Sequence, residues 1–126
     1  MTAPHDHVTT ATATTEAEMR PQRVPVNVYA AGEAMVVIAP MPAVRAQDVC
    51  VELRPGSPST VRFWAHVRSA GPREYLVHEW EYGGYERQVE VPSGFGGGLE
   101  AVLHNGQLVV RVLRGDCTGA HTITPS

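Results

Sequence analysis

The stretch LEAVLHNGQLVVRV, residues 99–112, decides the fold. Its apolar residues recur at every second position on both sides of Asn105-Gly106. That dipeptide tolerates the positive φ angles which both central residues of a type I′ turn require. A two-residue turn there sets Leu103 opposite Leu108, Ala101 opposite Val110 and Leu99 opposite Val112, with all these side chains on one face. The other face pairs Val102 with Val109 and Glu100 with Arg111. Such cross-strand pairs contribute roughly 0.2–1 kcal/mol each. A slip of one residue would turn the whole apolar set to solvent, so the register is strongly specified.

The same period of two recurs upstream. VPVNVY (24–29) alternates, with Val24, Val26 and Val28 on one face. AMVVIA (34–39) is apolar on both faces and is expected inside a sheet that is covered on both sides. QDVCVELR (47–54) sends Val49, Val51 and Leu53 one way and Cys50, Glu52 and Arg54 the other. TVRFWAHV (60–67) divides into Val61, Phe63 and Ala65 against Arg62, Trp64 and His66, and ERQVEV (86–91) turns Val89 and Val91 inward before Pro92 stops it. Alternation between turns rich in Pro and Gly is the signature of half-buried strands. No segment has a helical period, and VRAQD (44–48) is at most one turn. About seven short strands without helices predict an all-β, immunoglobulin-like β-sandwich.

Composition sets the boundaries. The chain has 126 residues, enough for one domain with length left over for tails. Residues 1–23, with the low-complexity TTATATT, read as a flexible N-terminal arm; 24–114 is the sandwich; 115–126, GDCTGAHTITPS, reads as a flexible C-terminal tail. Net charge is −3, all ten basic residues are Arg, and no basic run exceeds two residues. Nucleic acid and anionic membranes both call for clustered positive charge, so neither is expected as a partner. No stretch approaches the roughly 20 apolar residues of a membrane span. The first residues lack a basic start and an apolar run, so a cytoplasmic location is expected. Cys50 and Cys117 then read as free thiols.

Signatures of catalysis are weak. No Gly-x-Gly-x-x-Gly opens a helix, and there is no Walker loop; PSGFGGG (92–98) follows a strand with neither Lys nor helix behind it and reads as a loose connection. The nucleophile elbow Gly-x-Ser-x-Gly is missing, and GSPS (56–59) is an ordinary Pro-flanked turn. His5 and His7 lie on the arm, and His66, His78, His104 and His121 form no tight pair of metal-ligating spacing. Glu79, Glu81, Glu86 and Glu90 alternate with Arg73 and Arg87 as a solvated face would. No enzymatic activity, metal or cofactor is expected.

What remains is surface. REYLVHEWEYGGY (73–85) gathers Tyr75, Leu76, Val77, Trp80, Tyr82 and Tyr85 between SAGP and Gly83-Gly84. It reads either as a core strand of the same sandwich or as an interface strand that finds its partner on another chain, where aromatic anchors are favoured.

Four motifs in order resemble the small heat-shock protein, or alpha-crystallin, family: AVLHNGQLVV (101–110), EWEYGGYER (79–87), VEVP (89–92), and APMPAV (39–44) followed by DVCVEL (48–53). The resemblance covers about residues 24–114. It implies ATP-independent holding of partly unfolded proteins, with the chain itself and such clients as partners. It also implies a homodimer in which Arg73–His78 pairs with Val26–Tyr29 of a second copy. Val26, Val28, Tyr29, Tyr75, Leu76 and Val77 would form that interface, and Glu79 and Arg87 the charged network beside it. A hydrophobic groove between the 49–53 and 99–103 strands, with Val49, Val51, Leu53, Leu99, Ala101 and Leu103, would accept a tail or client segment.

Three departures stand out. Ala43 replaces the Gly that the family has after Met-Pro. The tail offers HTITPS in place of Ile-x-Ile or Ile-x-Val, so one anchor, Ile123, is expected where the family has two, and tail docking should be weakened. The arm has only Val8 and Met19 as larger apolar residues, which favours a dimer or small oligomer over a large shell. Two other readings of the sandwich are a protein-interaction or co-chaperone module, and an enzyme or sugar-binding sandwich with a deep polar pocket.

Overall fold

The computed structural model describes residues 22–65, 74–78 and 84–126. Among the described residues nine strands form two sheets around one core: β1 (Gln22–Arg23), β2 (Asn27–Ala31), β3 (Ala34–Pro40), β4 (Val49–Arg54), β5 (Ser59–Ala65), β6 (Tyr85–Val91), β7 (Phe95–His104), β8 (Gln107–Arg114) and β9 (His121–Ile123). One sheet runs β1-β6-β5-β4-β9 and the other β2-β3-β8-β7. The only helical residues described are a single 3₁₀ turn at Ala46–Asp48.

The β7–β8 hairpin pairs Leu103 with Leu108, Ala101 with Val110 and Leu99 with Val112, the register read from the sequence. Asn105 (φ 52°) and Gly106 (φ 75°) supply both left-handed centres of the turn. Leu108, Val110 and Val112 are fully buried, and they face Val51, Leu53, Val61 and Phe63 of the opposite sheet across the core. Met41, just past β3, fills the same core although it lies outside any strand.

Strand β3 is buried over most of its length because it lies inside its sheet between β2 and β8. Its outward Val36 sits in register between Tyr29 and Arg111, and cross-strand neighbours cover it.

Four expectations are corrected by the tertiary structure. The arm ends before Gln22: Gln22 and Arg23 run parallel to β6 as β1, with Gln22 N–H donating to the Gly84 carbonyl at 2.9 Å. The 24–29 strand does not exist as one unit. Val24 N–H still bonds to the Glu86 carbonyl at 3.3 Å, then Pro25, which has no N–H, ends that pairing and the chain crosses to the other sheet as β2. The PSGFGGG run is not a loose loop throughout, since β7 begins at Phe95, and a bulge between Phe95 and Gly98 opens the pairing with β8.

The fourth correction concerns residues 115–126. They do not trail free of the sandwich: His121–Ile123 forms β9 on the edge of β4, and Pro125 is buried. Backbone pairing with an existing edge satisfies groups that side-chain pattern alone does not reveal.

Candidate functional site: a bare edge and an occupied groove

Strand edges are the chemically active places of a sandwich, because their unpaired N–H and C=O groups accept a further strand. The five-stranded sheet ends at two short strands, β1 of two residues and β9 of three, and the four-stranded sheet ends at β2 and β7. Beside β7, Ser126 donates its N–H to the Ala101 carbonyl at 3.1 Å and accepts from Leu103 N–H at 3.0 Å. The other edge of that sheet, β2, has no neighbour on its outer side among the described residues; it is longer than β1 or β9, and all five of its residues are exposed.

The predicted interface residues divide along this edge. Val28 is 44% and Tyr29 50% exposed on β2. Val26 is half-buried and packs against the core, so it offers little to a partner. Leu76 and Val77 are almost wholly solvated, whereas Tyr75 is half-buried with its ring stacked on His78, the centroids 4.2 Å apart. Within one chain residues 74–78 form no strand. Tyr85 belongs to the core: it is buried, and its hydroxyl donates to the Pro42 carbonyl at 2.8 Å.

Arg87 is half-buried on β6. Its Nη1 donates to the Val24 carbonyl at 2.8 Å, while its Nε is buried with no hydrogen-bond partner among the described residues. Glu79, expected beside it, lies outside the described residues, as do Trp80 and Tyr82.

The groove residues are brought together. Val49, Val51 and Leu53 of β4 point wholly into the core, Ala101 is buried, and Leu99 and Leu103 of β7 are half-buried. The slot between β4 and β7 is filled by the chain's own residues. Val51 pairs with Ile123, Glu52 with Thr122 and Leu53 with His121, and Ile123 packs against the core. Two residues on, Pro125 is buried and Ser126 bonds β7. The expectation of one anchor is therefore corrected. Ile123 and Pro125 both insert, because side chains two apart on an extended segment point the same way.

The outer face of the five-stranded sheet is polar. Arg62 Nε donates to Glu86 Oε2 at 2.7 Å, and its guanidinium lies 4.2 Å over the Trp64 ring. Cys50, in register with Trp64, is partly buried. Burial pushes its thiol pKa up, the Glu52 charge adds to the rise, and Arg62 opposes it. Cys50 and Cys117 are both free thiols.

Among the described residues no group of His, Cys, Asp and Glu has the arrangement to hold a metal ion. A depression of about 660 Å³ is lined by Ser57, Ser59, Glu90, Pro92, Asp116 and Cys117. No helix of the described residues is long and apolar enough to cross a membrane.

No protein-family model matches the sequence, and neither does any curated protein. Solved structures do match. A small heat-shock protein from Xylella fastidiosa superposes with a TM-score of 0.62 at 17% identity, covering 82% of this chain and 95% of that one. HSP18.5 from E. histolytica gives 0.57 at 19% identity over 74% of this chain and 88% of its own. HspA from Xanthomonas axonopodis gives 0.56 at 19% identity, over 74% and 94%. At such identities the likeness is one of architecture, and the chain has the β-sandwich fold of the small heat-shock proteins.

Proposed function

We propose that this protein is an ATP-independent holding chaperone that works as a homodimer, binding partly unfolded proteins and limiting their aggregation. The observation that carries the reading is the bare β2 edge, with Val28 and Tyr29 exposed along it, in a molecule that also exposes Leu76 and Val77. An extended segment can add to such an edge through main-chain hydrogen bonds, with pockets for alternate side chains. In the dimer, residues 73–78 of a second copy take that position against Val26–Tyr29. Client segments gain about 25 cal/mol for each Å² of apolar surface they remove from water. No bond is made or broken, so no nucleophile is required. The likeness in fold to small heat-shock proteins supports the same reading.

The decisive experiment follows the turbidity of a heated, aggregation-prone protein with this chain present and no ATP. Suppression near stoichiometric amounts is expected. Sedimentation should give a dimer that the double variant Val28→Asp, Tyr29→Asp converts to monomer, because two carboxylates at the edge would be buried unpaired.

A second reading is a co-chaperone or interaction module that docks a defined partner on β2. The occupied groove favours it, since a filled slot leaves less apolar surface for varied clients. Turbidity unaffected at any ratio, with the dimer intact, would select this reading.

A further inference from the structure

Residues 74–78 hold a ring contact that an extended chain cannot make. The Tyr75 and His78 rings stack with their centroids 4.2 Å apart and their planes 11° from parallel. The backbone bends at Leu76 and Val77 to bring them together. Both rings are half-buried, and both aliphatic side chains stand exposed at the tip of the bend. On a strand, residues three apart point to opposite faces, and their Cα atoms lie about 10 Å apart. The stack and a strand over 75–78 therefore exclude one another. Extended, the segment would turn Tyr75 and Val77 to one face and Leu76 and His78 to the other. Bent, it ties the two rings to each other and sends both aliphatic residues outward.

The free side of β2 offers main-chain groups that only an extended neighbour can satisfy. We propose that the Tyr75–His78 stack is an intrachain latch, which keeps this segment in a form unable to add to β2 of a second copy and which opens when the dimer forms. The inference concerns regulation of the β2 edge and rests on the reading of that edge as the dimer interface. A subunit joins only from its open form, so the apparent affinity falls in proportion to the fraction of subunits that is open. The worth of an aromatic pair favours the stacked form by about 2- to 13-fold. In a two-fold dimer each copy lends its segment to the other, so both latches must open and the factors multiply to about 5- to 160-fold. The latch exists only in the free subunit. It therefore slows association and leaves dissociation unchanged, whereas a contact made across the interface acts mainly on dissociation.

The test uses the full chain. It has no Lys, so amine-reactive donor and acceptor dyes attach at the N-terminus alone. Energy transfer between labelled copies gives the dimer dissociation constant, rapid dilution gives the dissociation rate, and their ratio gives the association rate. His78→Ala should lower the dissociation constant at least ~5-fold, through faster association alone. His78→Phe keeps a ring for Tyr75 to stack on and should return both rates to those of the parent. In dilute parent protein the Tyr75 ring current should shift the His78 ring protons upfield, and the shift should vanish as the dimer forms. That measurement needs no variant, so it decides the matter should His78→Ala fail to fold. A dissociation constant unchanged or raised in His78→Ala, a change carried by the dissociation rate, or a ring shift kept in the dimer would overturn the latch and leave the dimer standing. Monomers at every concentration in the parent and both variants would remove the dimer reading itself, and the latch with it.

Discussion

The Leu103 amide donates to the Ser126 carbonyl oxygen at 3.0 Å, joining two residues of which one belongs to the central hairpin and the other to the far end of a strap. Three residues before Ser126, Ile123 packs against the core. Ile123→Ala should therefore lower stability by about 1–2 kcal/mol, less than the roughly 2–5 of a fully buried site, because Ile123 is only half-buried. Urea unfolding measures the loss, and exchange at Leu103 should quicken in the same variant. An unchanged midpoint would mean that the strap adds nothing to the fold.

Leu103 and Leu108 face one another across the hairpin, yet their surroundings differ. Leu108 is fully buried between the sheets, while Leu103 is half-buried at the slot's rim. Leu108→Ala should cost roughly 2–5 kcal/mol and Leu103→Ala below about 2 kcal/mol. Thermal unfolding of the two variants checks the order. Equal losses would contradict this difference in packing.

Ala43 sits at φ 67°, in the left-handed region that a β-carbon disfavours by roughly 1–2 kcal/mol. The neighbouring Met41 N–H donates to the Gly106 carbonyl at 2.7 Å, so this loop is tied to the hairpin turn and cannot relax freely. Ala43→Gly should stabilise the protein by about 1 kcal/mol, partly offset by the greater freedom of Gly in the unfolded chain. A lower melting temperature would contradict the strain.

The Cys50 thiol has its pKa held above that of a free thiol, first by burial and then by the Glu52 charge. Its alkylation rate should inflect at higher pH than that of a free thiol. Glu52→Gln should move the inflection down, and Arg62→Gln should move it up. The sign for stability follows from the proton held more tightly in the folded state. The contribution is fully present below the pKa of the unfolded thiol and is lost as pH rises through the higher folded value. Stability that increases across that alkaline window in the parent, and no longer does so in Cys50→Ala, would reverse this assignment.

What was legible in the sequence was local. Alternation with a period of two marked β4, β5, β6, β8 and the second half of β7, a continuous apolar run marked β3, and Asn105-Gly106 set the hairpin register residue for residue. The split of β4 into inward Val49, Val51, Leu53 and outward Cys50, Glu52, Arg54 was equally plain, because side-chain direction in a strand depends only on position. These patterns were enough for an all-β sandwich.

The tertiary structure alone decided where the ends of the described chain go. Nothing in HTITPS distinguishes a free tail from a strap, since its order comes from backbone bonds to β4 and β7 and from a slot that exists only once both sheets have formed. The same holds for Gln22–Arg23 on β6, for Tyr85, which turns inward to Pro42, and for the glycines 96–98, whose lack of side chains becomes meaningful only where Arg114, Gly115 and Cys117 pass over them. Residue patterning encodes which face is apolar. Which distant edge a short segment will cover depends on main-chain hydrogen bonds, and those carry no signature in side-chain identity.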